Sequence, residues 1–444
     1  MKRASIAVIG GGWAGFTAAV ELAETGHTVT VFEAARALGG RARVVSAGPR
    51  PLDNGQHILL GAYTETLRQM ENVGVDTREA FLRLPLQMRY PPADDGMDFV
   101  APRLPAPLHL LAALLRAKGL TREDKLALAR FTTSARWMDW QLHEDCSVLT
   151  LLERFDQTER LYRLMWRPLC IAALNTPPEQ ASAQVFLNVL RDSLGAKRSA
   201  SDMLVPRLDL TALFPAPAAE YVQQRGGAVL NGTAVRNVTR AEHGWSLSTA
   251  AQSNQLFDGI VIATSASAAR TLLTAHLTDI LPDGVPDMEH EPIATCYLQY
   301  APGTRLAHAM HALVDDPAQG RWGQFVFDRG QLDAAQDGLL AVVVSTASAA
   351  GELDQGELAK AIAEQLVTAF DMPALAAPLW AQVITEKRAT FSCTPGLQRI
   401  EERTNFANLV LAGDYLAGPY PATIESAVRS GRRAASLLIE HFAD

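Results

Sequence analysis

A glycine-rich turn between an apolar run and a helical run, near the start of the chain, constrains the fold more than any other feature. The apolar run leads directly into Gly10-x-Gly12-x-x-Gly15. Gly10 permits a tight turn, Gly12 lets the backbone approach a pyrophosphate, and Gly15 lets the following helix pack close to the strand. A second strand-like run, over residues 27–33, ends in Glu33, where a carboxylate can bind a ribose hydroxyl. The sequence therefore predicts a Rossmann-type dinucleotide-binding unit.

Two further segments place glycines beside a charged residue. Gly39-Gly40-Arg41 follows the second strand, and an arginine at that point can hold phosphate through paired hydrogen bonds. Near the C-terminus, a buried strand-like run ends in Gly413-Asp414, and a helix start follows after a short loop. The N-terminus of that helix would present the positive end of its dipole to a ligand.

These motifs, in this order, resemble those of the FAD-dependent amine oxidase and phytoene desaturase superfamily. In that family, the glycine pair and its arginine lie against the FAD pyrophosphate and flavin, and the aspartate of the closing motif binds a phosphate or ribityl oxygen. The resemblance implies non-covalent FAD, because the closing motif contains no cysteine. The cofactor-binding residues that it implies are Gly10, Gly12, Trp13, Ala14, Gly15, Glu33, Gly40, Arg41, Asn54, Gly55, Gln56, Val235, Gly413, Asp414, Thr423 and Ile424.

Three longer strings, at residues 52–63, 166–183 and 420–431, narrow the resemblance. Together they resemble the hydroxysqualene dehydroxylases of hopanoid and squalene biosynthesis, a branch of the same superfamily. This resemblance covers essentially the whole chain. It implies a long-chain isoprenoid substrate and the reductive removal of the hydroxyl group of hydroxysqualene to give squalene, with hydride from N5 of the reduced flavin to an allylic cation.

Three alternatives to this function stay open. A carotenoid desaturase of the phytoene type would share the fold and the FAD motifs and use the flavin in the opposite direction. An amine oxidase commonly has a lysine near the flavin, whereas the position that looks equivalent here is Thr295, which argues against amine oxidation. A non-catalytic lipid-binding protein of this fold would tend to lose its cofactor motifs, and these motifs are intact here.

His57 and Asn175 are the candidate catalytic residues. His57 follows the Asp-Asn-Gly turn that the resemblance places near the flavin, and histidine titrates near neutrality, so it could protonate the leaving hydroxyl. It could instead cap backbone groups or touch the flavin edge, and this interpretation is favoured; Asp53 and Gln56 could orient it or bind the ring. Asn175 could bind the substrate hydroxyl, although an asparagine before Thr-Pro is also an ordinary turn residue, and this interpretation is favoured. Glu425 is interpreted as a charge that complements the dipole of its own helix.

The sequence predicts an α/β protein with two domains, a discontinuous Rossmann-type FAD-binding domain and a mixed α+β substrate domain of the amine oxidase kind. The FAD-binding domain is predicted to comprise residues 1–85, 205–275 and 405–444. The substrate domain is predicted to comprise residues 86–204, which read as mainly helical, and 276–404, where recurrent strand-like runs indicate an antiparallel sheet backed by a helix. Such a sheet could form the floor of a pocket over the flavin.

Composition excludes several classes of function. The formal net charge is −8 and no basic stripe with interleaved aromatic residues occurs, which argues against a nucleic-acid partner. The four cysteines are widely spaced without metal-ligand spacing, so no metal site is predicted, and free thiols fit a cytoplasmic protein. No residue pattern identifies the electron donor.

The segment 106–118 is the most apolar of the helical runs. Its length suits either a buried core helix, which is favoured, or a helix that lies on a bilayer surface. No run reaches the roughly 18 apolar residues that a spanning helix needs. Because squalene-like molecules reside in membranes, we expect a cytoplasmic protein with peripheral attachment to the inner face of the membrane.

Overall fold

The computed structural model describes residues 3–252, 254–274, 277–282 and 284–443. Within them the strands are β1 (Ser5–Ile9), β2 (Thr28–Glu33), β3 (Val44–Ala47), β4 (Arg50–Asp53), β5 (Leu59–Leu60), β6 (Phe81–Leu84), β7 (Gln87–Arg89), β8 (Asp98–Val100), β9 (Met203–Pro206), β10 (Ala228–Asn231), β11 (Val235–Arg240), β12 (Trp245–Thr249), β13 (Gln255–Phe257), β14 (Gly259–Ile262), β15 (His290–Gln299), β16 (Met310–Ala312), β17 (Phe325–Asp328), β18 (Leu339–Val344), β19 (Trp380–Phe391) and β20 (Leu409–Leu411). The helices are α1 (Trp13–Glu24), α2 (Thr64–Asn72), α3 (Thr77–Ala80), α4 (Leu108–Arg116), α5 (Arg122–Trp137), α6 (Val148–Arg154), α7 (Glu159–Leu161), α8 (Arg167–Leu174), α9 (Ala183–Ser193), α10 (Leu210–Leu213), α11 (Pro215–Gln224), α12 (Ala266–Leu273), α13 (Leu277–Ile280), α14 (Gln355–Phe370) and α15 (Ile424–Ala443).

A five-stranded parallel sheet, in the order β10-β2-β1-β14-β20, carries the glycine-rich turn. Its central strands are almost entirely buried, as expected when both faces of a parallel sheet are covered. Helix α1 packs against α11 and α15, so the first and last helices of the chain are neighbours. The strands come from the three segments predicted for the FAD-binding domain, and the predicted α/β class with a discontinuous Rossmann-type unit is confirmed.

The second large sheet is antiparallel, in the order β16-β17-β18-β15-β19, with α14 packed against it. The sequence predicts the three strands that became β15, β17 and β18. It interprets Lys387 and Arg388 as the solvated end of a strand but does not give that strand's extent. This strand is β19, whose burial pattern is irregular because charged residues occur along it. Strand β19 bulges opposite Pro292, where residues 387–389 have no paired partner.

Two strands that follow one another in the chain, β10 and β11, lie in different sheets. Strand β10 joins the edge of the parallel sheet, whereas β11 pairs with β12 in a separate antiparallel sheet. The reason is that the apolar side chains of β10 continue the buried face of β2, while β11 is mostly exposed. The turn between them crosses from one sheet to the other.

Residues 108–201 form the predicted helical region, which includes α4 to α9. Aromatic and aliphatic side chains of this region form one buried core with side chains of the antiparallel sheet. Helix α4 does not match the favoured prediction of a core helix, because only His109 and Ala113 are buried in it. Its leucines divide between the interior and the solvent. No helix in the described ranges is long and apolar enough to cross a bilayer.

Candidate active site

A cavity of about 1090 Å³ joins the parallel sheet, the antiparallel sheet and the helical region. It is lined by all of the predicted site residues except Gly15. One end lies at the glycine-rich turn, and the other lies among α4, α5, α8 and α9. The cavity is larger than most single-ligand sites, which have volumes of roughly 300–1,000 Å³. It can therefore hold a cofactor and a substrate end to end.

The three glycines of the first turn have different structural roles. Gly10 has a φ of 115°, and a Cβ there would lie 2.8 Å from the carbonyl carbon of Ala263. A Cβ on Gly15 would overlap the carbonyl oxygen of Gly10, so Gly15 lets α1 pack on the turn. A Cβ on Gly12 would meet only Gly40, at 3.8 Å. The protein's own backbone therefore leaves no room for a side chain at Gly10 or Gly15, whereas the absence of a side chain at Gly12 keeps the cavity open.

The N-terminus of α1 opens into this space. Gly12 is the N-cap, and no side chain among the described residues caps it. The first turn therefore offers backbone N–H groups and the positive end of the helix dipole to an anion. Trp13 and Ala14 lie in that turn, and the indole Nε1 of Trp13 donates to the Ala42 carbonyl at 3.0 Å. Trp13 thereby ties the helix start to the segment after Arg41.

Glu33 lies at the end of β2, beside the same turn. Its carboxylate accepts from the backbone N–H of Gly11 at 2.6 Å and of Ala35 at 2.7 Å. These bonds fix the carboxylate while leaving lone pairs for ribose hydroxyls. The Thr233 N–H donates to the Glu33 carbonyl at 2.8 Å, which brings Val235, two residues further, to this end of the cavity.

Arg41 joins the beginning of the chain to its end. Its Nη2 donates to Oδ1 of Asp414 at 2.6 Å, and its Nη1 donates to the carbonyl of Ala389, in the bulge of β19, at 2.7 Å. Asp414 holds the pKa of Arg41 above its usual value, although burial opposes this. The sequence brings Arg41 and Asp414 together only through resemblance, since 373 residues separate them.

The closing helix α15 also begins in the cavity. Thr423 caps it, since its Oγ1 accepts from the Ser426 N–H while the Ser426 hydroxyl accepts from the Thr423 N–H. Ile424 follows at the first position. A Cβ on Gly431 would overlap the carbonyl of Ala14, so this glycine lets α15 lie close to α1. Two helix N-termini therefore point into the cavity, as the motifs predict.

The turn before His57 is held by contacts from both sheets. The Asn54 amide donates to the Arg41 carbonyl and to Oε2 of Glu386, both at 3.0 Å. The Gln56 N–H donates to the hydroxyl of Thr295 at 3.3 Å, which places Thr295 directly beside the turn. Glu386 is a cavity residue that the sequence does not predict, because only the solvated end of β19 was expected and its extent was not.

His57 Nδ1 lies 3.0 Å from the carbonyl of Gly55. A carbonyl can only accept, so Nδ1 carries the proton, and the neutral ring presents Nε2 as an acceptor. Burial lowers the pKa of His57 below 6.5, against the raising effect of that hydrogen bond. At pH 7 the imidazole is therefore mainly neutral. Its role as an acid stays a prediction, and burial holds its pKa below the ordinary value that the sequence argument assumed.

Asp53 and Gln56 do not orient His57 as predicted. Asp53 Oδ1 accepts from the Leu210 N–H at 2.9 Å, and burial raises the pKa of Asp53 to about 6. Gln56 Oε1 accepts from Arg329 at 2.8 Å, and its Nε2 donates to the carbonyl of His57. Both side chains therefore stabilise the turn through hydrogen bonds to other parts of the protein.

Asn175 reaches the cavity wall, but its amide is used within the protein. Its Nδ2 donates to the Glu291 carbonyl at 3.1 Å and to the Thr390 hydroxyl at 2.9 Å, and its Oδ1 accepts from the Thr346 N–H at 2.8 Å. Asn175 also has a φ of 46° and ends α8. These contacts favour the interpretation of Asn175 as a turn residue over its interpretation as a residue that binds the substrate hydroxyl.

Glu425 differs from its predicted role. Its carboxylate accepts from the N–H and the hydroxyl of Thr66, at 2.9 and 2.7 Å, and so binds the N-terminus of α2 instead of serving only its own helix. Tyr63 and Tyr420 lie near it in the cavity wall, and Tyr420 donates to Asp192. Isolated tyrosines carry no spacing signal, so sequence reasoning missed them.

Far from the glycine-rich turn, the cavity wall is mainly apolar. No cluster of acidic, histidine or cysteine side chains that could bind a metal occurs in the described part of the chain. Side chains from six elements contribute to this sector, which therefore suits a long hydrocarbon. They include Met88, Phe99, Leu110, Leu114, Leu128, Phe131, Met165, Trp166, Leu169, Phe186 and Leu190.

Comparison with known proteins places the chain among flavoproteins. The family model for flavin-containing amine oxidoreductases matches residues 13–439. A hydroxysqualene dehydroxylase of Zymomonas mobilis is 28% identical, over 98% of this chain and 99% of its own, and a 15-cis-phytoene desaturase of Synechococcus elongatus is 24% identical, over 98% and 95%. The cyclohexylamine oxidase of Brevibacterium oxydans superposes with a TM-score of 0.68 at 18% identity and covers 100% of both chains. The predicted resemblance to hydroxysqualene dehydroxylases is confirmed.

Proposed function

Because the chain belongs to the family of flavin-containing amine oxidoreductases and is an FAD-dependent oxidoreductase, we propose that it converts hydroxysqualene to squalene by reductive dehydroxylation. One observation carries the proposal: the dinucleotide site and a long apolar sector share one cavity. The similarity to hydroxysqualene dehydroxylases over nearly the whole chain supports it. Thr295, the position that resembles the site of the amine oxidase lysine, has a hydroxyl and no amine, which gives no support to amine oxidation.

The described residues fit FAD. Gly12 leaves room for backbone contact with a pyrophosphate, Glu33 keeps lone pairs for ribose, and the N-termini of α1 and α15 favour negative charge. Arg41 with Asp414 closes the site between them. When bound and reduced, FAD supplies a hydride, while the protein supplies orientation and electrostatics.

In the reaction, the allylic C–O bond of the substrate breaks, and the hydroxyl takes up a proton and leaves as water. A hydride then forms the new C–H bond at the same carbon. The apolar sector excludes bulk water, which would otherwise recapture the cation. The walls formed by α5, α8 and α9 can hold the chain extended, with its reacting allylic carbon at the His57 turn.

His57 is the residue that we assign to the proton. Its Nε2 faces no other partner among the described residues, while Nδ1 is held by Gly55. The lowered pKa makes the protonated ring a stronger acid than ordinary histidine, though a less abundant one at pH 7. Binding of an apolar substrate beside it removes water and leaves the hydroxyl as the remaining acceptor.

Anaerobic turnover tests the proposal. The purified protein, with its flavin photoreduced, is given hydroxysqualene, and products are identified by mass while flavin absorbance is followed. We expect one squalene for each flavin reoxidised, and no squalene when photoreduction is omitted. If the oxidised flavin is instead bleached by phytoene and hydroxysqualene is untouched, the protein is a desaturase and the proposal is wrong.

A further inference from the structure

Helices α4 and α5 form a hairpin at the apolar end of the cavity. The Lys125 ammonium near the start of α5 donates to the carbonyl of Leu115 near the end of α4, at 3.0 Å. At the other end of the pair, Arg136 lies close enough to His109 to lower the pKa of that histidine further. The two helices therefore run in opposite directions at this end of the cavity.

The outer face of this hairpin is apolar and exposed. On α4, Leu108, Leu111 and Leu115 recur at helical spacing with 52%, 53% and 68% of their surface exposed. On α5, Leu126 and Trp137 lie on one stripe and are 64% and 88% exposed. They account for five of the nine large hydrophobic side chains that are exposed among the described residues. Such a cluster marks an interaction surface.

This face surrounds an opening of the cavity. Leu108 and Leu111 line the cavity and are also half exposed, so the apolar sector reaches the surface between them. Thr133 and Arg136, on α5, line the same opening. A second opening lies at the opposite end, where Ser265 is exposed, next to the dinucleotide site. The opening at the hairpin is therefore the one that leads into the apolar sector.

Charge on the hairpin is opposite in sign to that of the whole chain. Residues 103–137 contain seven arginines and lysines and two acidic residues, whereas the chain carries −8. One of the two acids, Asp124, is buried in the capping box of α5. The cations that surround the leucines form no ion pair among the described residues; they are Arg103, Arg116, Lys118, Arg122, Arg130 and Arg136.

We propose that the surface formed by Leu108, Leu111, Leu115, Leu126 and Trp137 docks on an anionic lipid bilayer, so that the apolar sector opens into the membrane. Leucines and a tryptophan enter the boundary between headgroups and acyl chains, and unpaired cations attract anionic headgroups. A hydrocarbon substrate then passes from lipid to cavity without crossing water. This inference deepens the proposed function, but it rests on surface geometry and can be tested without turnover.

Vesicle co-sedimentation tests it, with the full-length, FAD-loaded protein. We expect binding to vesicles of phosphatidylcholine and phosphatidylglycerol, weaker binding to phosphatidylcholine alone, and loss of the difference at high salt. The double substitution Leu115→Asp with Leu126→Asp should lower partitioning at least about tenfold, since both side chains face outward. Neither residue lines the cavity, so turnover of detergent-dispersed hydroxysqualene should persist.

Two exposed leucines elsewhere supply the matched control. Leu256→Asp with Leu379→Asp changes two side chains of nearly equal exposure, 63% and 69%, and should leave partitioning unchanged. Equal weakening by both pairs, or no vesicle binding by a folded, yellow wild type, would overturn the proposal. A third outcome would also overturn it: the wild type is a dimer that does not bind vesicles, and the double variant with Leu115→Asp and Leu126→Asp is a monomer. This face would then be a contact between two copies of the chain.

Trp137 provides a second readout that does not depend on sedimentation. It is the most exposed large hydrophobic side chain of the described residues, so brominated phospholipids should quench its fluorescence on docking. The quenching should disappear in Trp137→Phe, which keeps an apolar side chain. Quenching that persists in Trp137→Phe would place another tryptophan in the bilayer and contradict the assigned surface.

Because vesicle binding and turnover are measured separately, failure of the docking surface can be distinguished from failure of the proposed function. A protein that makes squalene in detergent but ignores vesicles contradicts the docking surface alone. A protein that binds vesicles through Leu115 and Leu126 but makes no squalene contradicts the proposed function alone.

Discussion

The two ends of the cavity are built in different ways. At the dinucleotide end, the identity of individual residues is fixed by individual contacts. Gly15 has no room for a Cβ, and Glu33 and Arg41 each form defined hydrogen bonds. At the hairpin end, many interchangeable apolar side chains form the wall, and size and polarity matter more than identity. A cofactor site can therefore be recognised in the sequence by a motif of particular residues at fixed spacing, whereas a hydrocarbon site shows only as a region rich in apolar residues.

The sharpest test at the dinucleotide end separates two glycines. Gly15→Ala should abolish FAD binding and lower the free energy of unfolding by several kcal/mol, because its Cβ overlaps the Gly10 carbonyl. Gly12→Ala should leave the apoprotein folded and weaken FAD binding about tenfold or more, since only the approach of the pyrophosphate is blocked. Thermal unfolding and flavin absorbance distinguish them. Equal loss of apoprotein stability in both would show that Gly12 is also structural.

Where the ends meet, the prediction concerns His57. His57→Gln should reduce turnover about a hundredfold or more while FAD stays bound. Wild-type turnover should fall as pH rises, since the acid is protonated only below its lowered pKa, and His57→Gln should lose that dependence. A single-turnover pH profile, read by squalene formation, checks this. An unchanged pH profile in His57→Gln would assign the proton to another group.

Substitution of Arg41 tests how much the charged pair contributes to FAD binding at the dinucleotide end. Arg41→Ala should weaken FAD binding about 10–100-fold, because a charge-assisted pair is lost and Asp414 is left unpaired. Asp414→Asn in the same chain should cost less than the sum of the two single effects, because the residues form one pair. Titration of apoprotein with FAD gives the coupling. Additive effects would mean that the two residues act independently.

At the hairpin end, one polar substitution should act on substrate alone. Leu169→Gln places an amide in the apolar wall and should raise KM for hydroxysqualene about fivefold with FAD affinity unchanged. Leu256→Gln, outside the cavity, is the control for a polar substitution as such. If Leu169→Gln releases FAD, the two ends are not separable and the comparison fails.

At Asp53, behind the His57 turn, the expected effect is on stability. Its pKa, about 6, lies above the ordinary 3.8 because of burial, so the native state favours the protonated acid. Stability from this group is present at low pH and is lost as pH rises through about 6. Asp53→Asn, which can still accept from Leu210, should therefore stabilise the protein by about 2 kcal/mol at pH 8 and little at pH 4. Chemical denaturation at both pH values checks it, and destabilisation at pH 8 would show that the carboxylate is needed.

The same contrast explains what the sequence could predict. The strands and helix around Gly10 and Glu33 follow from local pattern, and family motifs identified Arg41 and Asp414. The extent of strand β19, and with it Glu386, was not predicted because charged residues at a bulge interrupt its alternation. The outward leucines of α4 were undecided, since an apolar helix between a cavity and a surface has the composition of a core helix.

Side-chain bonding was less predictable than position. Asn175, Asp53 and Gln56 all lie near the cavity as predicted, yet their polar atoms are used by backbone groups and side chains distant in sequence. Whether a polar group is free for chemistry depends on partners that only the folded chain brings together. The orientation of His57 by Gly55 is local, but its depressed pKa depends on burial by the whole molecule.

The pairing of Arg41 with Asp414 bears on the order in which the protein can mature. A ribosome makes the glycine-rich turn well before the segment with β20 and α15, yet both are needed to enclose the cavity. A nascent chain that already has β1, β2 and α1 still lacks Asp414 and the strand that completes the parallel sheet. We therefore expect flavin capture only after α15 has been made, and chains cut short before β20 should be colourless even though most of the cavity wall is present.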